Sequence, residues 1–136
     1  MSYMTIVVYN IDSAVGSGRA NKPDDVRLVQ ELLNAVARTE RNWAPPTPLA
    51  VDGKFSNNLR IWILAFQTRS AVMNQGKVVV DGLVDPIPMN GGHNWEPKIA
   101  GGTFSTMYGL NYRSWKANRQ NHVALGQRLN LRDGRD

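Results

Sequence analysis

A mainly α fold is predicted: a small helical bundle with a short N-terminal strand or arm and a C-terminal extension that holds a further helix. Three observations carry this expectation. Val26, Val29, Leu33 and Val36 recur at helical spacing behind a Pro-Asp-Asp start, residues 57–67 form a second and strongly apolar helical run, and two Val-Asp-Gly triplets at 51–53 and 80–82 bracket that run. At 136 residues, 42% hydrophobic and 20% charged, the chain has the size and composition of one ordinary domain. The expected division of 1–136 is an N-terminal arm (1–20), a core (21–88) and a basic, aromatic extension (89–136) packed on that core.

Taken in order, residues 3–11 read as a short strand or an extended arm, and GSGRANKP as a loop. Asn21 is placed to cap the first helix. Pro23 stands where a missing N–H costs nothing, and Asp24 and Asp25 meet the positive end of the helix dipole. This helix is expected to run to about Ala37, because TERNWAPPTP carries three prolines in four positions and must be a loop. In the triplet Val51-Asp52-Gly53 the glycine can adopt positive φ and the aspartate can bond the backbone ahead of it; Asp81 and Gly82 repeat the arrangement. Ser56 or Asn57 then caps the second helix.

Within that helix Leu59, Trp62, Ile63 and Phe66 form one stripe, while Ile61, Leu64 and Ala65 occupy much of the remaining circumference. One neighbour cannot cover such a surface. The aromatic residues beyond position 95 are expected to lie over it, with Trp62 in the core. Residues 89–111, rich in Gly and Asn, are expected to be mostly irregular, and 113–130 to form a helix from about Ser114.

Composition also excludes several functions. There is no cysteine, so disulfides and thiolate metal sites are out. No apolar run reaches the roughly 18 residues of a membrane span. MSYMTIVVYNID lacks the basic start and cleavage pattern of a secretory signal, so the expectation is a protein made in the cytoplasm that reaches the periplasm or cell wall, if at all, by another route. His93 and His122 are the two imidazoles and lack metal-ligand spacing. Asp52 and Asp81 form a conceivable carboxylate pair for glycoside hydrolysis, but their shared setting before Gly is explained by turn chemistry. GSGRANK fits neither a phosphate loop nor a nucleophile elbow. No enzyme, cofactor or metal is expected.

The formal charge of +5 is uneven. Residues 1–97 hold nine basic and nine acidic side chains, whereas 98–136 hold seven basic ones against Asp133 and Asp136. The plain reading is a solvated basic helix; the functional one is attraction to an anionic polymer. Aromatics interleaved with Arg and Lys keep nucleic acid as a minor alternative.

The helix DDVRLVQELLN, the turn PLAVDGKF, the helix ending AFQ and the turn VVVDGLVDP together resemble the small three-helix peptidoglycan-binding domain of bacterial wall hydrolases and carboxypeptidases. The residues that match are Val26, Val29, Gln30 and Leu33, then Asp52, Gly53 and Phe55, then Ile63, Phe66 and Gln67, and finally Asp81, Gly82, Val84 and Pro86, over about residues 21–88. Ser56, Leu59 and Trp62 depart from the family's Gly, Thr and Ala. The resemblance implies a non-catalytic module that binds cell-wall glycan or stem peptide; the lack of a secretory signal and of a catalytic domain in the sequence adds the expectation of an accessory of a phage particle or a secretion machine. On that reading Asn57, Asn58 and Arg60 supply hydrogen bonds in a shallow groove beside the first turn, and Tyr108, Tyr112 and Trp115 supply aromatic faces. The alternative is an adaptor that keeps the fold and binds a protein of the cell envelope or of the delivery machinery.

Overall fold

The computed structural model describes residues 6–90, 94–95 and 104–131. Among them are four α-helices, α1 (Pro23–Thr39), α2 (Asn57–Met73), α3 (Thr106–Ala117) and α4 (Arg119–Arg128), with a short 3-10 helix at Arg41–Trp43. A two-residue antiparallel pair, β1 (Met89–Asn90) with β2 (Asn94–Trp95), completes the regular structure. The helical class is as expected, but within 21–88 there are two α-helices and a 3-10 turn instead of a three-helix core, and the described part of the extension holds two helices instead of one. His93 and Ile99 lie outside the described residues.

α1 owes its form to the stripe at Val26, Val29, Leu33 and Val36, widened by Leu28 and Leu32, all of which are buried. Its start differs from expectation. Lys22 is the N-cap and offers no side-chain bond. Asn21 has φ 50° and turns its amide back on Gly16, accepting from the Gly16 N–H and donating to its carbonyl, both at 2.8 Å. The loop before the helix therefore holds Asn21 more tightly than the helix does. Asp25, 7% exposed, accepts from Asp12 N–H and Ser13 N–H at 3.0 Å each, so this first-turn carboxylate fastens the arm to α1 as well as facing the dipole.

Residues 6–11 are an extended arm that runs through the core. Val8, Tyr9 and Ile11 are buried. Several of the arm's buried backbone groups are satisfied by side chains. Asn111 of α3 accepts from Tyr9 N–H and donates to Tyr9 O, both at 2.8 Å. Asn10 does the same for Ile87, accepting at 2.8 Å and donating at 3.2 Å. His122 of α4 places Nε2 at 2.7 Å from Val7 O and Nδ1 at 2.8 Å from Ser114 Oγ. A carbonyl only accepts, so Nε2 carries the proton and Nδ1 accepts from the serine. The Tyr9 ring lies against Gly126, where any Cβ would overlap it, and its hydroxyl donates to His122 O at 2.9 Å.

The helix expected from Ser114 is in fact two helices, and the first begins eight residues earlier. Ser105 caps α3 by accepting from Tyr108 N–H at 3.2 Å, and Asn118 ends α3 and caps α4 by accepting from Asn121 N–H at 2.9 Å. The buried face of α3 is Met107, Leu110, Asn111 and Ser114, a helical spacing in which half the members are polar. Apolar periodicity was therefore a weak signal there.

Among the described residues α3 packs chiefly along α1, and Trp62, expected beneath the extension, is met by the loop after α1. Trp62 is 4% exposed. The Trp43 ring meets it edge-on at 5.7 Å and meets Phe66 in the same way at 5.7 Å, and the proline loop accepts the Trp62 Nε1–H at Thr47 O, 2.9 Å. α2 is not covered all round: Ile61 is 43% exposed.

Two matching joints hold α2 in place. At the first, Gln30 of α1 accepts from Asp52 N–H (3.0 Å) and Gly53 N–H (2.9 Å) and donates to Asp52 Oδ1 (2.9 Å) and Lys54 O (3.2 Å). At the second, Gln67 of α2 accepts from Asp81 N–H (3.1 Å) and Gly82 N–H (2.8 Å) and donates to Asp81 Oδ1 (3.2 Å) and Leu83 O (2.9 Å). In both, the aspartate also accepts from the N–H two residues on, Lys54 at 3.0 Å and Leu83 at 2.9 Å. Gly53 and Gly82 sit at φ 73° and 76°, where a side chain is strained.

Candidate binding groove between α2 and α3

Where the C-terminal half of α2 runs beside α3, a groove of about 400 Å³ opens, large enough for a small organic ligand or a short stretch of polymer. Phe66, Ser70 and Met73 line it from α2, and Tyr108, Tyr112 and Lys116 from α3. The spacing 108, 112, 116 is one helical face, which is why one element can supply two phenols and an ammonium in a row. Tyr112 is 40% exposed and Lys116 Nζ stands 5.5 Å from its ring centroid, within cation–π range. Arg113 also reaches the groove, but its guanidinium is engaged by Glu40 Oε1 at 3.0 Å and touches the Met73 sulfur.

The six candidate contact residues fall on separate surfaces. Tyr108 and Tyr112 share the groove. Trp115 does not line it; its ring lies edge-on to buried His122 at 5.9 Å with Arg119 5.6 Å from its centroid. Asn57, Asn58 and Arg60 stand at the opposite end of α2, and none of them lines this groove. Asn58 donates to Pro48 O at 3.0 Å, which commits its amide N–H to the proline loop. Arg60 lays its stem near Gly82, where a Cβ would be 3.6 Å from Arg60 Cγ, so it borders the second bend and not the first. Asn57 is exposed and Ser56 caps α2 by accepting from Leu59 N–H at 3.1 Å.

Asp52 and Asp81 act in the joints described above. The amide of Gln30, then the Lys54 N–H, holds the Asp52 carboxyl below the ordinary value of 3.8. A carboxyl stabilised as the anion suits a backbone clamp and disfavours a general acid. Among the described residues no three His, Asp or Glu side chains gather as a metal set, and no helix is long and apolar enough to cross a membrane. No family model matches the chain, and comparison with curated proteins and with solved structures returns no match.

Sequence reasoning missed Lys116 and Met73 as groove residues. The signal for Lys116 was its place four residues after Tyr112. For Met73 none existed, because α2 was expected to end near Gln67 and continues a turn and a half further.

Proposed function

We propose that the protein is a non-catalytic binding module for bacterial peptidoglycan, and that the α2–α3 groove is its contact surface. The observation that carries this reading is the Tyr108–Tyr112–Lys116 row, which offers phenol faces for sugar rings and a cation for the carboxylates of the wall polymer. The two Gln–Asp–Gly joints support it, since they involve the residues on which the family resemblance rests. Both aspartates are engaged in those joints, which supports a binding role for the site over an acid–base one.

The test is co-sedimentation with purified sacculi across a salt series. Near 1 M salt the Debye length is about 3 Å and exposed charge pairs are screened. Binding that survives there and is lost in Tyr108→Ala/Tyr112→Ala is the expected result. An Asn57→Ala/Asn58→Ala variant should bind like the parent. Absence of binding at low salt sinks the proposal.

One observation favours a protein partner as the second reading. Beside the groove Val72 is 72% exposed and Met73 44%, and Val79 and Val80 are each 46% exposed, an apolar fringe of the kind that partners cover.

A further inference from the structure

A second groove, about 470 Å³, lies on the other flank of α2 and is enclosed by the loop that follows α1. Arg38, from the last turn of α1, and Arg41, from the 3-10 helix, both line it. Pro45, Pro46 and Pro48 form a wall, and Trp62 contributes to the same lining.

The two arginines have no carboxylate partner among the described residues, and the reason lies in the neighbouring acids. Glu31, earlier on α1, is taken in a two-pronged bridge by Arg128 at 2.9 and 3.1 Å. Glu40, which stands between the two arginines in sequence, is taken by Arg113 at 3.0 Å. Both glutamates nearest in sequence are thus taken by the C-terminal helices, and Arg38 and Arg41 border this groove with no ion pair among the described residues. The helix dipole gives Arg38 a favourable place at the end of α1 but does nothing for Arg41, which follows it.

We infer that this groove is a binding site for an acidic peptide, with carboxylates taken by Arg38 and Arg41. Guanidinium groups match a carboxylate with two parallel N–H donors, and two of them spaced three residues apart suit a peptide with two acidic side chains. The proline wall is rigid, so little entropy is lost there when a ligand settles. Trp62 is fixed by its bond to Thr47 O and is 4% exposed, so it presents no open face on which a nucleobase can stack. Two cations are also too few to track a nucleic-acid backbone, which is held by many phosphate contacts. This site is independent of the wall-binding reading and stands whether or not sacculi are bound.

The experiment is titration of the full chain with an acetylated hexapeptide carrying two glutamates, followed by calorimetry or tryptophan fluorescence. Parallel titrations use its glutamine counterpart, inorganic phosphate and a single-stranded oligonucleotide. The glutamate peptide should bind, and the other three should bind at least about tenfold more weakly, the loss expected when one charge-assisted contact is removed. Arg38→Ala/Arg41→Ala should abolish the preference and Arg38→Lys/Arg41→Lys should restore part of it. Arg27→Ala, an exposed α1 arginine away from the groove, should leave it unchanged. Melting curves close to the parent's are expected for all three variants, since among the described residues these side chains make no hydrogen bond or ion pair, and Arg38→Ala loses only its place at the end of the α1 dipole. Equal binding of the glutamine peptide, tighter binding of the oligonucleotide, phosphate binding as strong as the peptide's, or an unaltered Arg38→Ala/Arg41→Ala variant each overturns the inference.

Discussion

The joint between α1 and α2 and the joint between α2 and α3 use the same parts for different reach. Gln30 and Gln67 each accept two N–H bonds across an Asp–Gly bend, and each donates to the aspartate and to the carbonyl two residues on. Gln67 has one acceptor more: Thr106 Oγ1, in the first turn of α3, lies 3.1 Å from its Nε2 and shares the two amide hydrogens with Asp81 Oδ1 and Leu83 O. The first joint closes the connection between consecutive helices. The second ties a helix, a bend and the start of the groove-forming helix through one amide. A repeated local motif thus acquires a tertiary role from a single added acceptor, and the candidate groove between α2 and α3 hangs on that contact.

Removing the glutamines breaks the comparison most directly. Gln67→Ala leaves the buried Gly82 N–H without an acceptor and frees the start of α3, so a loss of roughly 3 kcal/mol is expected. Gln30→Ala orphans Gly53 N–H alone among buried donors and should cost about 2 kcal/mol. Denaturant melts measure both, and equal losses would mean that the α3 contact contributes nothing.

Thr106→Val isolates the extra bond. It should cost about 1 kcal/mol in the parent and close to nothing in Gln67→Ala, because the partner is already gone. Additive losses in that cycle would detach α3 from the joint. The same variant should weaken sacculus binding if the wall-binding proposal is right, while Gln30→Ala, remote from the groove, should leave it near the parent level at temperatures where both are folded.

The smallest effect concerns acid. Asp52 titrates below its ordinary 3.8 because Gln30 and the Lys54 N–H favour the anion. A depressed folded value adds stability that is present above 3.8 and is lost as pH falls through the folded value. Asp52→Asn should therefore flatten the part of the acid-unfolding curve below 3.8 and be slightly less stable than the parent at neutral pH, where the parent's contribution is fully present. A parent and variant with superimposable acid curves would remove the carboxylate from the account of the first joint.

Legibility differed between these regions for physical reasons. α1 and the Asp–Gly bends could be read because their signals are local: a period, a proline, a glycine at positive φ. The end of α2 was read short because residues 68–73 lack apolar spacing, and α3 was missed because Asn111 and Ser114 look like surface residues yet are buried. Of the candidate site, Tyr108 and Tyr112 were legible as aromatics, set among basic residues, that would lie on the second helix. That they share a groove with Met73, on a turn of α2 the sequence did not extend to, and that Trp115 faces His122 instead, was not.

By itself the sequence determined the helical class, the two bends and the core stripe of α1, since each follows from spacing and backbone preference within about a dozen residues. The tertiary structure decided how the arm is held and what covers Trp62. Asn10, Asn21, Gln30, Gln67 and Asn111 all pair with backbone N–H and C=O groups, as a neighbouring strand would. A carboxamide carries one donor group and one acceptor like a peptide unit, so it can replace a ladder wherever packing brings it to an unpaired segment. Which segment it meets depends on contacts as far apart as Tyr9 and Asn111, 102 positions, and no local pattern encodes that distance.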